Sequence, residues 1–190
     1  MEQRPHRRRP QMAEHAGLQP CPRLESALMA NIRVRQELYS GRHGYDYPPL
    51  DPETARIIAA RFNEDNRFFP GLLGIRVVEL RTGYARLELE NRQQLMQPAG
   101  VMHGGASFGL ADTAVAAALA TLYEAGTVLL TIEMKINYLE PILLGVVTAE
   151  AFVLRASKRS AYAEVDIWAN GQLAARATTT YMIRPPVPNA

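Results

Sequence analysis

The sequence predicts an α+β fold, one antiparallel sheet wrapped around a single long apolar helix, preceded by an N-terminal extension. Three observations predict it. Residues 97–120, QPAGVMHGGASFGLADTAVAAALA, run from a turn into a segment whose Ala/Leu content and lack of a polar face suit a fully buried helix. Alternating strand patterns stand before and after that helix, and Asn170-Gly171 is a strong two-residue hairpin signal. Residues 1–50 share neither pattern.

Those first residues read as an extension and linker, flexible or carrying a short helix. MEQRPHRRRP is basic and punctuated by proline, and GRHGYDYPPLDP is rich in turn formers. Between them Leu24, Leu28, Ile32 and Tyr39 have the spacing of a short amphipathic helix. A strapped-on extension competes here with two other uses. A targeting peptide is disfavoured by Glu2 and Glu14 and by the lack of an apolar segment after them. A nucleic-acid arm would rest on Arg7-Arg8-Arg9 alone, so no nucleic-acid partner is expected. The folded domain is expected over residues 51–185, with 186–190 as a tail.

Asp51-Pro52-Glu53 opens the first helix, with Asp as N-cap and Pro at the first helical position. Ile57, Ile58 and Phe62 make its apolar stripe as far as Asn63, and FFPGLLG (68–74) breaks it. A strand over 75–80 turns at Thr82-Gly83 and returns over 84–90. There Ala85, Leu87 and Leu89 alternate with Tyr84, Arg86, Glu88 and Glu90, a hairpin with one wet face. Beyond the central helix, Val128, Leu130, Ile132, Met134, Ile136 and Tyr138 alternate with Thr131, Glu133, Lys135 and Asn137 until Pro141 ends the strand. Strands over 146–154, 161–168 and 173–183 follow as consecutive hairpins.

Composition excludes several function classes. With 47% hydrophobic and 21% charged residues among 190, the chain has the balance of a globular protein. Asp112 and Thr113 interrupt the longest apolar run, short of the ~20 residues a membrane span needs. A net charge of +2 does not make a polyanion-binding surface. Cys21 is the only cysteine, and His6, His15, His43 and His103 lack ligand spacing, so neither a disulfide nor a metal centre is expected. A reducing cytoplasm fits best.

Chemistry concentrates in the central stretch. Burying an ionised carboxylate costs several kcal/mol unless it is paired, and Asp112 sits inside the apolar helix with Phe108, Val115 and Leu119 on its face. Either hydroxyls or backbone satisfy it, or it has a use. A helix starting near Gly104 leaves amide donors open at its positive end. Without side chains, Gly104 and Gly105 let a carbonyl oxygen approach those donors, as an oxyanion hole requires. HGG alone is equally compatible with tight helix–sheet packing. Eight residues along a helix separate Gly104 from Asp112 by about 12 Å, whereas groups acting on one carbonyl each lie within about 3 Å of it. If both act, they come from two antiparallel copies of the helix across a two-fold axis, at least a homodimer.

QPAGVMHGGASFGLADTA, LLTIEMKINYLEPILLG and NGQLAARATTTYMI together resemble the hotdog-fold acyl-CoA thioesterases of the phenylacetate-degradation type, over residues 52–184. The resemblance implies a sheet-around-helix fold, dimers whose sheets join and a site between subunits; whether the dimer pairs again into a tetramer is open at the level of sequence. It implies that Asp112 activates water or attacks the thioester directly, that the Gly104 amide polarises the carbonyl with Gly105 beside it, and that Thr131 helps hold the water. Gln97 falls where many members carry Asn, one methylene shorter. Asn137 serves sheet or site, His103 supports the loop and the substrate pocket, and Lys158 and Arg159 lie in a turn suited to CoA phosphates. No cofactor is implied, because CoA enters with the substrate. The acyl pocket would draw on Leu72, Phe108, Val115, Tyr123 and Tyr138. Two other readings compete: an acyl-CoA-sensing regulator with a DNA-binding N-terminal segment, and a dehydratase, for which no His precedes Phe69-Pro70-Gly71.

Overall fold

The structure, a computed structural model, describes residues 43–63 and 67–186. The helix expected between residues 24 and 39, the Arg7-Arg8-Arg9 cluster and Cys21 lie outside the described residues. Among the described residues, three α-helices, α1 (Pro52–Asn63), α2 (Phe69–Leu73) and α3 (Gly104–Ala120), accompany six strands: β1 (Arg76–Arg81), β2 (Tyr84–Asn91), β3 (Val128–Tyr138), β4 (Gly145–Ala156), β5 (Ser160–Ala169) and β6 (Gln172–Arg184). All pairs are antiparallel, in the order β1-β2-β4-β5-β6-β3.

That order departs from a plain run of hairpins. β3 does not pair with β4 but crosses to the far edge to pair with β6, while β4 inserts beside β2. Pro141 stops β3, and Gly145, at φ 125°, starts β4 in a backbone conformation that disfavours a side chain. The expected break after α1 is itself a helix, because Pro70 suits the first turn of α2 and Gly74, at φ 78°, closes it.

α3 packs on one face of the sheet and reaches β1 through β5. The buried strand residues on that face are small or branched: Val147, Ala149 and Ala151 on β4, Val165 on β5, Ala175 and Ala177 on β6. Alanines at these positions let helix and sheet approach closely, which is where the core lies. α3 is not apolar-buried all round, however. Gly105 and Phe108 are exposed, and Asp112 and Ala116 half-buried, along a single stripe at helical spacing.

Residues ahead of Asp51 also pack. Tyr47 stacks on Tyr84 with ring centroids 5.9 Å apart and lies 6.0 Å from Phe152, on the sheet face opposite α3. Gly44 runs directly beneath the Tyr84 ring, where a β-carbon would fall 2.4 Å from Cζ. The packed region therefore begins ahead of the expected start at residue 51.

Candidate active site

His103 is the N-cap of α3, and its ring accepts the Gly105 amide at Nδ1 over 2.9 Å. That nitrogen carries no proton, so a neutral ring holds its proton on Nε2. The Ala106 amide is taken by the His103 carbonyl, 2.9 Å away. Of the first three amides of α3, only that of Gly104 has no acceptor among the described residues. The pair of glycines expected to offer donors is thus divided: Gly105 is spent on the cap, and Gly104 is open. Tyr138 fixes the other side, its phenol donating to the Gly104 carbonyl over 2.9 Å.

The loop ahead of this turn is tied at several points. Gln97 N–H donates to the Val101 carbonyl (2.8 Å) and Gly100 N–H to the Gln97 carbonyl (3.0 Å), with Gly100 at φ 81°. Met102 N–H then reaches the Ile142 carbonyl and His103 N–H the Leu95 carbonyl, both 2.8 Å. Gln97 is exposed at the same end of α3 as Gly104.

Asp112 lies two turns further on, half-buried rather than sunk in hydrocarbon as its sequence neighbours suggested. Val115 and Leu119 are fully buried beside it, but Phe108 keeps 36% of its surface. Two hydroxyls converge on one carboxylate oxygen. Thr131 Oγ1 donates to Oδ1 over 2.7 Å and the Tyr181 phenol to the same Oδ1 over 2.5 Å. The Tyr181 oxygen also stands 2.9 Å from the Asp112 main-chain carbonyl. Burial, and then the adjacent carboxylate, push the Tyr181 pKa far upward, so the phenol remains a donor.

Thr131 reaches Asp112 because of an irregularity the alternation did not reveal. Thr131 sits opposite Tyr181, but the next pair is Glu133 with Thr180, so Ile132 is an extra residue in β3. This bulge puts Leu129 and Thr131 on the α3 face in one phase and Met134, Ile136 and Tyr138 on it in the other. Val128, Leu130 and Ile132, which begin the apolar row of the alternation, are accordingly 43%, 42% and 58% exposed. Asn137 is paired with Arg176 on the face away from α3, so it does not join the Asp112 group within one chain.

Lys158 and Arg159 are exposed in the β4–β5 turn, which Ser157 N–H closes onto the Ser160 carbonyl (2.9 Å). The Tyr123 phenol, just past the end of α3, donates to the Ser157 carbonyl over 2.8 Å. These two cations therefore lie toward the C-terminal end of α3, whereas Gly104, His103 and Gln97 lie at its start. Of the expected acyl-pocket residues, Val115 belongs to the core, while Leu72 (69%), Phe108 and Tyr138 (53%) are exposed and Tyr123 is half-buried. Sequence reasoning missed Tyr181. Its signal was a polar-tipped aromatic in the inward row Ala175, Ala177, Thr179, Tyr181, Ile183.

Comparison with known proteins follows the same residues. The thioesterase superfamily matches residues 99–175, which span the glycine turn, Asp112 and Thr131. The 1,4-dihydroxy-2-naphthoyl-CoA hydrolase of Listeria monocytogenes is 32% identical over 95 residues, covering 50% of this chain and 77% of that protein. Among solved structures, a conserved protein of Pseudomonas aeruginosa superposes with a TM-score of 0.58 at 32% identity, over 60% of this chain and 91% of that one. A thioesterase of Haemophilus influenzae gives a TM-score of 0.58 at 25% identity, over 62% and 82% of the two chains. The phenylacetate-operon protein of E. coli, at 24% identity and a TM-score of 0.63 over 71% and 96%, shares the fold. A helix packed on a six-stranded antiparallel sheet, the HGG turn that starts it and these likenesses identify the chain as a hotdog-fold hydrolase belonging to the thioesterase superfamily.

Proposed function

We propose that this chain hydrolyses acyl- or aryl-CoA thioesters to the free acid and CoA, in sites shared between two subunits. The observation that carries the reading is the placement on one straight helix of an open amide at Gly104 and a hydroxyl-held carboxylate at Asp112. Each half of a hydrolytic site is present, and about 12 Å of helix keeps the halves of one chain apart. An antiparallel copy of α3 would bring one subunit's Gly104 to its partner's Asp112, and the reverse.

In this mechanism the thioester carbonyl accepts a hydrogen bond from the Gly104 amide at the positive end of α3. Asp112 takes a proton from water as the water oxygen bonds to the carbonyl carbon. The resulting oxyanion is held at Gly104, and its collapse expels the thiolate of CoA, which recovers the proton. Thr131 holds the carboxylate and its water, Gln97 offers an amide to the thioester, and His103 supports the turn. Lys158 and Arg159 favour the CoA phosphates. They flank the C-terminal end of α3, which in an antiparallel pair approaches the partner's Gly104. Asn137 has the weakest support, since it faces away from α3. The route uses side chains, one amide and water, so it asks for no cofactor, and we place it in the cytoplasm. The exposed edge of β3, with Leu130 and Ile132 uncovered, favours a partner subunit, as a dimer or a pair of dimers.

The test is a thiol-release assay against short, medium, long and aryl acyl-CoAs with native protein and Asp112→Asn. A general base contributes roughly 10²-fold or more to turnover, and the variant should lose that much in kcat. Turnover close to native would remove Asp112 from the mechanism.

A further inference from the structure

Tyr181 is a buried phenol whose acceptors among the described residues both belong to Asp112, and nothing in the reaction above uses it. The geometry points to Tyr181 as the positioning residue that, with Thr131, ties down Oδ1 of Asp112 and leaves Oδ2 to take the proton from water. This rests on the reading of Asp112 as the base.

A carboxylate on a helix turns about a broad, roughly two-fold torsion, so either oxygen could face the substrate at any moment. Here Oδ1 receives donors from two different strands, over 2.7 Å from Thr131 and 2.5 Å from Tyr181. The two residues are direct register partners on β3 and β6, and both hydroxyls rise from the sheet face that carries α3. Tyr181 is 2% exposed and its ring is wedged in the core, so its hydroxyl is held still where Thr131, at the sheet edge, is open to solvent. Charged hydrogen bonds of this length are directional, and together they fix the plane of the carboxylate. Oδ2 has no partner among the described residues, and Asp112 itself stands on the open stripe of α3 with Gly105 and Phe108. The substrate-facing oxygen is therefore chosen by a residue that never meets the substrate. Because the phenol is held protonated by burial and by the neighbouring carboxylate, it serves as a donor throughout the working range of pH.

The experiment is a double-mutant cycle on the full chain with Tyr181→Phe and Asp112→Asn, assayed by thiol release, with thermal unfolding as the check on folding. Tyr181→Phe should lower kcat by roughly tenfold with KM moving less than about twofold, the signature of misorientation rather than lost binding. In the Asp112→Asn background the same substitution should change nothing further, because Tyr181 acts only through that carboxylate. Native kcat in Tyr181→Phe, or an equal loss in both backgrounds, overturns the proposal while leaving Asp112 as the base. Native turnover in Asp112→Asn instead overturns the function on which it rests. A second variant does not depend on the folding of Tyr181→Phe: Thr131→Val removes the other donor to Oδ1, and it should likewise lower kcat by roughly tenfold with KM moving less than about twofold. A native kcat in Thr131→Val would also overturn the proposal.

Discussion

At the start of α3, the space around a single glycine is set by a phenol. A β-carbon on Gly104 would fall 3.0 Å from the Tyr138 hydroxyl and 3.1 Å from Cζ, closer than nearly all real contacts. Gly104→Ala should therefore push Tyr138 aside and disturb the one open amide, lowering kcat by roughly tenfold or more if that amide is the oxyanion donor. Adding Tyr138→Phe, which deletes the nearest atom, should recover part of the loss, and the ratio of the two rates is the measurement that checks it. Gly105 behaves differently, since its β-carbon would meet His103 Nδ1 at 3.0 Å and so strain the cap rather than the donor. At this scale the sequence was informative about which residues matter and less so about how they divide the work. Asp112 and Gly104 stood out by burial and spacing, and Thr131 by the family resemblance, but only packing separates the occupied Gly105 amide from the open one.

Among the elements, β3 and the face of the sheet away from α3 carry the least expected features. Register places Glu79, Arg86, Glu150, Asp166, Arg176 and Asn137 in one row across all six strands. Glu150 and Asp166 are neighbouring like charges within it. Their repulsion is relieved because the Tyr84 phenol donates to Glu150 (2.7 Å) and Arg176 forms a two-pronged pair with Asp166 (2.6 and 2.7 Å). Arg176→Met should leave Asp166, whose side chain is only 11% exposed, without that compensation. A stability loss of about 1–3 kcal/mol is expected, read as a lower melting temperature, with kcat retained. The strands themselves were legible as alternating patterns, apart from β3. One bulged residue reverses which side chains face the core, and nothing in local propensity marks where Ile132 would be inserted. The far-edge placement of β3 was hidden for a related reason, because strand order depends on pairings between residues distant in the chain.

For the whole molecule, the proposed site demands two chains, and mixing tests that demand. Co-refolded Gly104→Val and Asp112→Asn subunits, each nearly inactive alone, should regain about one quarter of native activity, since half the dimers would be mixed and each would hold one intact site. A site built within one chain predicts no recovery. Sequence by itself determined the α+β class and the long apolar helix, and it singled out Gly104 and Asp112 as candidates, because hydrophobic period and the chemistry of Gly and Asp are local properties of the chain. It did not determine the strand order, the phase of β3, the partly open setting of Asp112 or the role of Tyr181 beside it. Those are decided only when β3 and β6, far apart along the chain, lie side by side beneath α3, for a buried hydroxyl takes its partner from the fold and not from its neighbours in sequence.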